Sequence, residues 1–253
     1  MTIPSTRVPP LSRLAPRFFG AGMTHAGAVR ERNEDSILTD PHGTLWAVAD
    51  GMGGYGHGDV ASDIVIDCLA TVPDNALAGP ALRAKLEEAS HRIHLHAQQA
   101  GIGHIGSTAV ALMIQNSVAH VAWAGDCRAY LLRGGSLRML THDHTVVQNL
   151  VDQGLLSDAA RETHPEAHVV TRAIGFEAEV EIDSQAVPVV AGDRLLLCSD
   201  GLTACMGDQR IGDLLGQGAD PQAICTAAVT AAMQAGAPDN VSVIVVFAAA
   251  DEG

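Results

Sequence analysis

The chain has 253 residues, 47% of them apolar, which is enough for a sizeable core and excludes a largely disordered chain. Net charge is −14 and Lys85 is the sole lysine, so the surface repels nucleic acid and anionic lipid, and neither is expected as a partner. No apolar run approaches the roughly 20 residues that span a bilayer, and five cysteines without a CxxC pair suit reduced thiols in a cytoplasmic protein.

The N-terminal segment, residues 1–20, carries Arg7, Arg13 and Arg17 among prolines. It is too interrupted for a signal peptide and reads as a flexible extension before a single domain over 21–253. Leu45 to Ala49 (LWAVA) is the first strong strand. Apolar spacing at Val60, Ile64, Val65 and Leu69 predicts a helix from Asp59 to Val72. A second helix is expected from about Ala81 to Ala100, with Pro80 at its entrance and Gly101 past its end.

Strands follow at Ser107–Ile114, Val118–Ala124 and Arg128–Arg133, the last two expected to pair around a turn. Gly134-Gly135-Ser136 turns the chain into Leu137–Leu140, and Thr145–Gln153 reads as a helix stopped by Gly154. Pro165–Glu181 has no clear period. Arg194–Cys198 (RLLLC) is a buried strand, Asp220–Gln234 a helix, and Val241–Ala248 (VSVIVVFA) the last strand. Strands in runs, without βαβ alternation, favour antiparallel sheets flanked by helices.

Four aspartates fall at the ends of these apolar strands. Asp50 follows LWAVA, Asp126 sits between two strands, Asp200 follows RLLLCS and Asp239 precedes VSVIVV. Sheet ends gather distant residues on rigid supports. Four carboxylates meeting there repel one another unless cations separate them, and oxygen-only ligands favour Mg²⁺ or Mn²⁺ over zinc. A single Asp-Gly, such as Asp50-Gly51 or Asp200-Gly201, is better read as turn chemistry; four aspartates so placed, taken with the motifs around them, reverse that reading.

Together these residues resemble a family. Arg30-Glu31-Arg32-Asn33-Glu34-Asp35 and Asp50-Gly51-Met52-Gly53-Gly54 look like the opening motifs of the metal-dependent protein phosphatases (PPM, type 2C), the second in its bacterial form. The order continues with Gly106-Ser107-Thr108-Ala109, Gly125-Asp126-Cys127-Arg128, Cys198-Ser199-Asp200-Gly201-Leu202 and Pro238-Asp239-Asn240-Val241, so the likeness runs from about Gly22 to Ala248.

The resemblance implies an α+β fold, a four-layer α-β-β-α sandwich of two antiparallel sheets. It implies a protein serine/threonine phosphatase in which a hydroxide bridging two metals attacks phosphorus in line. Carried over, Asp50 bridges two Mn²⁺ or Mg²⁺ ions, the Gly51 carbonyl binds the second, and Asp200 and Asp239 bind the first. Glu34 holds water on the second ion, Asp126 with Asp200 serves a third, and Arg30 clamps the phosphate through its planar fork. Implied partners are phosphorylated proteins: the targets of a bacterial Ser/Thr kinase, or the kinase itself, in some bacteria within type VI secretion clusters. A monomer is expected.

Two departures stand out. Met52 occupies the place where some relatives carry a histidine proposed as general acid, and Cys127 replaces the usual serine. His57 and His144 are available as acids but read better as surface or structural groups. Cys127 reads as a core filler ahead of a soft ligand or redox thiol, and Arg128 as an organiser of its turn. His91, His94 and His96 belong to a solvated helix, and Thr141–Glu181 corresponds to the family's variable flap. The rival readings are a catalytically dead binding module, which a missing carboxylate would favour and none is missing, and a two-metal esterase or nuclease.

Overall fold

The computed structural model describes residues 16–40, 43–53, 56–161, 163–217 and 220–250. One antiparallel sheet contains β2 (Asp35–Thr39), β3 (Leu45–Gly53), β4 (Ile105–Gln115), β5 (Val118–Ala124) and β8 (Asp183–Pro188), in the order β2-β3-β4-β5-β8. The other contains β1 (Arg17–His25), β6 (Arg128–Arg133), β7 (Ser136–Met139), β9 (Arg194–Cys198) and β10 (Val241–Ala249), in the order β1-β10-β9-β6-β7. Helices α1 (Gly58–Ala70) and α2 (Ala78–Ala100) cover the first sheet. Helices α5 (Asp208–Gln217) and α6 (Pro221–Gln234) cover the second. The short α3 (Val146–Asp152) lies in the flap and α4 (Asp200–Thr203) opens directly from β9.

Alternation along the strands builds three apolar layers. Trp46 and Val48 of β3, Val110 and Leu112 of β4, and Ile244 and Val246 of β10 fill the space between the sheets. Their neighbours Ala47, Ala49, Ala109 and Ala111 face α1 and α2 with Val65, Leu69, Leu82 and Leu86. Val243 and Val245 face α5 and α6 with Ile211, Leu215 and Ile224. A one-residue slip of any such strand would exchange its two apolar sets, so the sandwich fixes the register at which each strand ends.

Local signals set the helix starts. Thr145 Oγ1 accepts from the Gln148 N–H ahead of α3, and Asp220 Oδ1 accepts from the Ala223 N–H ahead of α6, with Pro221 in the first turn. Among the described residues no helix is long and apolar enough to cross a membrane.

The structure corrects two expectations. Strands β5 and β6 do not pair: β5 lies between β4 and β8, and β6 between β9 and β7, in different sheets. Gly125-Asp126-Cys127 therefore crosses the sandwich. Gly125 makes the crossing at φ 101°, where a Cβ would stand 2.3 Å from the Thr108 side chain. The second correction is the end of the expected N-terminal extension. Arg17–Gly20 belong to β1, which pairs Arg17 with Ala249 and Gly20 with Val246, while residues 1–15 lie outside the described residues.

Candidate metal centre

All seven residues singled out from the sequence (Arg30, Glu34, Asp50, Gly51, Asp126, Asp200 and Asp239) line one cleft of about 590 Å³ at a common end of both sheets. Asp50 and Gly51 come from β3, Asp200 from the start of α4 just past β9, and Asp239 from two residues before β10. Asp126 comes from the crossing between sheets. Asp126 and Asp200 also face a smaller adjoining cavity with Arg128, Asp143 and Arg161.

Backbone packing holds this end of the sandwich together. The Gly51 N–H donates to the Glu34 carbonyl at 3.0 Å, and a Cβ at Gly51 would meet the Gly58 carbonyl at 2.0 Å. The Gly58 N–H donates to Glu34 Oε1 at 3.2 Å, which ties that carboxylate to the start of α1. Asn240 uses every polar atom of its amide: Nδ2 donates to the Ala26 and Arg32 carbonyls, and Oδ1 accepts from the Glu34 N–H. That one side chain anchors the loop bearing Arg30 to the segment that carries Asp239 into β10.

Carboxylates crowd one another at the cleft. Burial, followed by the charges of Asp35, Asp200, Asp126 and Asp239, pushes the Asp50 carboxyl well above the usual range. Asp126 is pushed up to about 7 by burial and then by Asp200 and Asp143. Asp35, which the sequence reading passed over, is also pushed up to about 7 by burial, against hydrogen bonds from Ser242 and Ser199. Both hydroxyls donate to its Oδ2, at 2.7 and 2.8 Å, while among the described residues its buried Oδ1 has no partner. An orphaned buried carboxylate oxygen beside a crowded, oxygen-only donor set fits hard divalent cations such as Mn²⁺ or Mg²⁺. Among the described residues no three acidic, histidine or cysteine side chains already stand in ligand geometry, and Asp239 Oδ2 accepts from Arg30 Nη2 at 2.7 Å. The candidate ligands line the cleft without converging on one point.

His168 was also missed in the sequence. It reaches the cleft from the flap, with Nδ1 3.8 Å from Asp200 Oδ2, and that contact raises its pKa. No periodic signal marks it. Asp35 did carry a signal, its place beside Glu34 at the start of a strand.

The other flagged groups lie elsewhere. His144 is a buried structural residue: the Gly125 N–H donates to its Nδ1 at 3.0 Å, and its Nε2 lies 3.1 Å from Arg172 Nη1 and 3.3 Å from Asp183 Oδ2. Burial and then Arg172 hold its pKa down. Arg128 pairs with Asp143 through two nitrogens and organises the crossing. Cys127 is buried beside Thr108, and burial raises its thiol pKa well above the usual value, as for a core filler. His91 and His96 are exposed on α2, and His94 bonds Gln98.

A two-sheet sandwich whose shared end gathers carboxylates and one arginine suits a metal-dependent hydrolase of an anionic ester. Comparison with known proteins gives the family. The protein phosphatase 2C family matches residues 21–150. The chain is 33% identical over 234 residues to the serine/threonine phosphatase Stp of Listeria welshimeri, covering 88% of this chain and 93% of that one. Among solved structures, PppA, a key regulatory component of T6SS in Pseudomonas aeruginosa, superposes with TM-score 0.84 at 39% identity, over 92% of this chain and 99% of that one. The PstP catalytic domain in complex with two manganese ions superposes with TM-score 0.83 at 34% identity, over 92% of this chain and 98% of that one. The chain belongs to the protein phosphatase 2C family of metal-dependent serine/threonine protein phosphatases.

Proposed function

We propose that the cleft is the catalytic centre. Asp50, Asp200, Asp239 and the Gly51 carbonyl hold two Mn²⁺ or Mg²⁺ ions, Glu34 orders water beside the second, and Asp126 with Asp200 serves a third. The observation that carries this assignment is the convergence on Asp50 of four further aspartates, one of them with an unpaired buried oxygen. When bound, the ions lower the pKa of water and offset charge on the phosphoryl oxygens. Arg30 is 56% exposed at its side chain, so it can leave Asp239 and present its fork to two phosphate oxygens. Met52 donates no proton, so it takes no part in the acid step.

The substrates we assign are phosphoserine and phosphothreonine proteins modified by a bacterial Ser/Thr kinase, or that kinase, met in the cytoplasm by a monomeric enzyme. The likeness to PppA supports a regulatory phosphatase of that kind. The test is hydrolysis of a phosphothreonine peptide and of p-nitrophenyl phosphate with Mn²⁺, before and after EDTA. Activity that needs Mn²⁺ and disappears in Asp50→Asn supports the assignment; Mn²⁺-dependent turnover that survives in Asp50→Asn overturns it.

A further inference from the structure

Beside the catalytic cleft lies a second groove of about 590 Å³, between the flap and the ends of β3 and β4. Met52 and Val170 line both, so the two form one continuous depression. We propose that this groove receives the substrate chain next to the phosphorylated residue and selects basic flanking side chains. The proposal rests on the phosphatase reading of the cleft.

A phosphoprotein enters as a chain. With its phosphate in the cleft, its neighbouring residues must leave along a surface continuous with the cleft. Each extended residue covers roughly 3.3 Å, so a few residues fill such a groove. Its apolar part includes Met52, Val170, Val180 and Phe176, the last 41% exposed with its ring stacked on His104 at 5.9 Å between centroids.

The wall is built in place. Ile174 and Ser107 exchange backbone hydrogen bonds at 2.8 and 2.9 Å. Ser90 Oγ accepts from the Gly175 N–H and donates to the Glu177 carbonyl, clasping the chain on both sides of Phe176. A Cβ at Gly106 would stand 2.5 Å from the Phe176 ring, so the glycine lets the ring lie flat against β4. A wall held this way meets its ligand with little ordering cost.

The charge gives the groove its preference. Glu177, Glu179 and Glu181 are all exposed along it. Arg172, the arginine of the lining, is engaged by Asp183 at 2.9 Å and Glu181 at 3.2 Å. Among the described residues Glu177 and Glu179 have no ion-pair partner. Arginine or lysine beside the phosphorylated residue would complement these carboxylates, and an acidic flank would be repelled.

The test uses two phosphothreonine peptides that differ only in carrying arginine or glutamate on both sides of the phosphothreonine. At low salt the enzyme is expected to favour the arginine peptide in kcat/KM by about tenfold, and the ratio should shrink as salt screens exposed pairs. Glu177→Lys combined with Glu179→Lys should abolish or invert the ratio. Equal rates on both peptides, a ratio indifferent to salt, or a double variant with the original ratio each overturns the proposal. p-Nitrophenyl phosphate, too small to reach the groove, reports on the cleft itself. Failure of the wild-type protein on that ester would count against the catalytic cleft, whereas failure of the peptide ratio alone counts against the groove.

Discussion

Asp35 and Asp50 face each other across adjacent strands, paired in the β2–β3 register, with both carboxyl groups in the interior. Like charges directly opposite in a sheet destabilise it, and burial multiplies the cost. Hydroxyls of Ser242 and Ser199 offset part of that cost at Asp35, and bound protons or cations are expected to offset the rest.

A pH dependence follows. Asp35 and Asp126 are raised to about 7 from the ordinary 3.8. The folded metal-free protein thus holds protons that the unfolded chain has released. Their contribution to stability is complete below the ordinary carboxylate value and is lost as pH rises through about 7. Mn²⁺ competes with those protons, so it should raise Tm more at pH 8 than at pH 6. Thermal melts in EDTA and in Mn²⁺ at both pH values check this. An equal Mn²⁺ shift at the two would separate the ions from these carboxylates.

Replacing one ligand tests function and stability in opposite directions. Asp50→Asn keeps the shape and removes a buried charge from the cluster. It should lower kcat/KM in Mn²⁺ by more than tenfold, a loss of over about 1.4 kcal/mol of transition-state stabilisation. It should also raise Tm in EDTA at pH 8. Asp239→Asn should lose activity similarly. Retention of more than about a tenth of the activity by either variant would falsify the ligand assignment.

Arg30 pairs with Asp239 at 2.7 Å, which sharpens what Arg30→Ala should do. The guanidinium and a cation compete for the same carboxylate. Removing the arginine should leave Mn²⁺ affinity equal or tighter while KM for a phosphopeptide rises severalfold, by the loss of a charge-assisted contact to phosphate. Titration calorimetry and steady-state kinetics on one preparation separate the two effects. Clearly weakened Mn²⁺ binding would mean that Arg30 supports the ions and does not hold substrate.

Much of this was legible in the sequence because apolar strands announce themselves. β5, β6 and β9 fall on their expected residues, and the aspartates at the strand ends reach one cleft. Partnership between strands was not legible. Val118–Ala124 and Arg128–Arg133 look like a hairpin from local signals, yet the three residues between them carry the chain to the opposite sheet. A glycine at positive φ serves either geometry, and only the long-range pairing with β8 and β9 decides. β1 was hidden for a related reason: its sequence, RFFGAGMTH, interrupts alternation with glycines, and its pairing to β10 lies more than two hundred residues away. Asp35 was passed over although it opens β2 beside Glu34, because its burial has no propensity signature. His168 belongs to a flap whose conformation is set by isolated bridges such as Thr145 with Val170.

The last prediction concerns Asp126, which stands in the crossing between the sheets, 8% exposed and facing both cavities. The reaction must end with a proton on the departing serine or threonine oxygen, and Met52 has none to give. Leaving-group basicity therefore reports on Asp126. p-Nitrophenolate departs with little need of protonation, whereas a serine or threonine alkoxide is strongly basic. If Asp126 serves that proton transfer, by carrying the proton or by holding the group that does, Asp126→Ala should lose at least about tenfold more activity on a phosphopeptide than on p-nitrophenyl phosphate. If Asp126 only shapes the crossing beside Gly125, the variant should melt at a different temperature and lose activity equally on both substrates. Rates on folded, Mn²⁺-saturated protein decide between the two, and equal losses would remove Asp126 from the proton path.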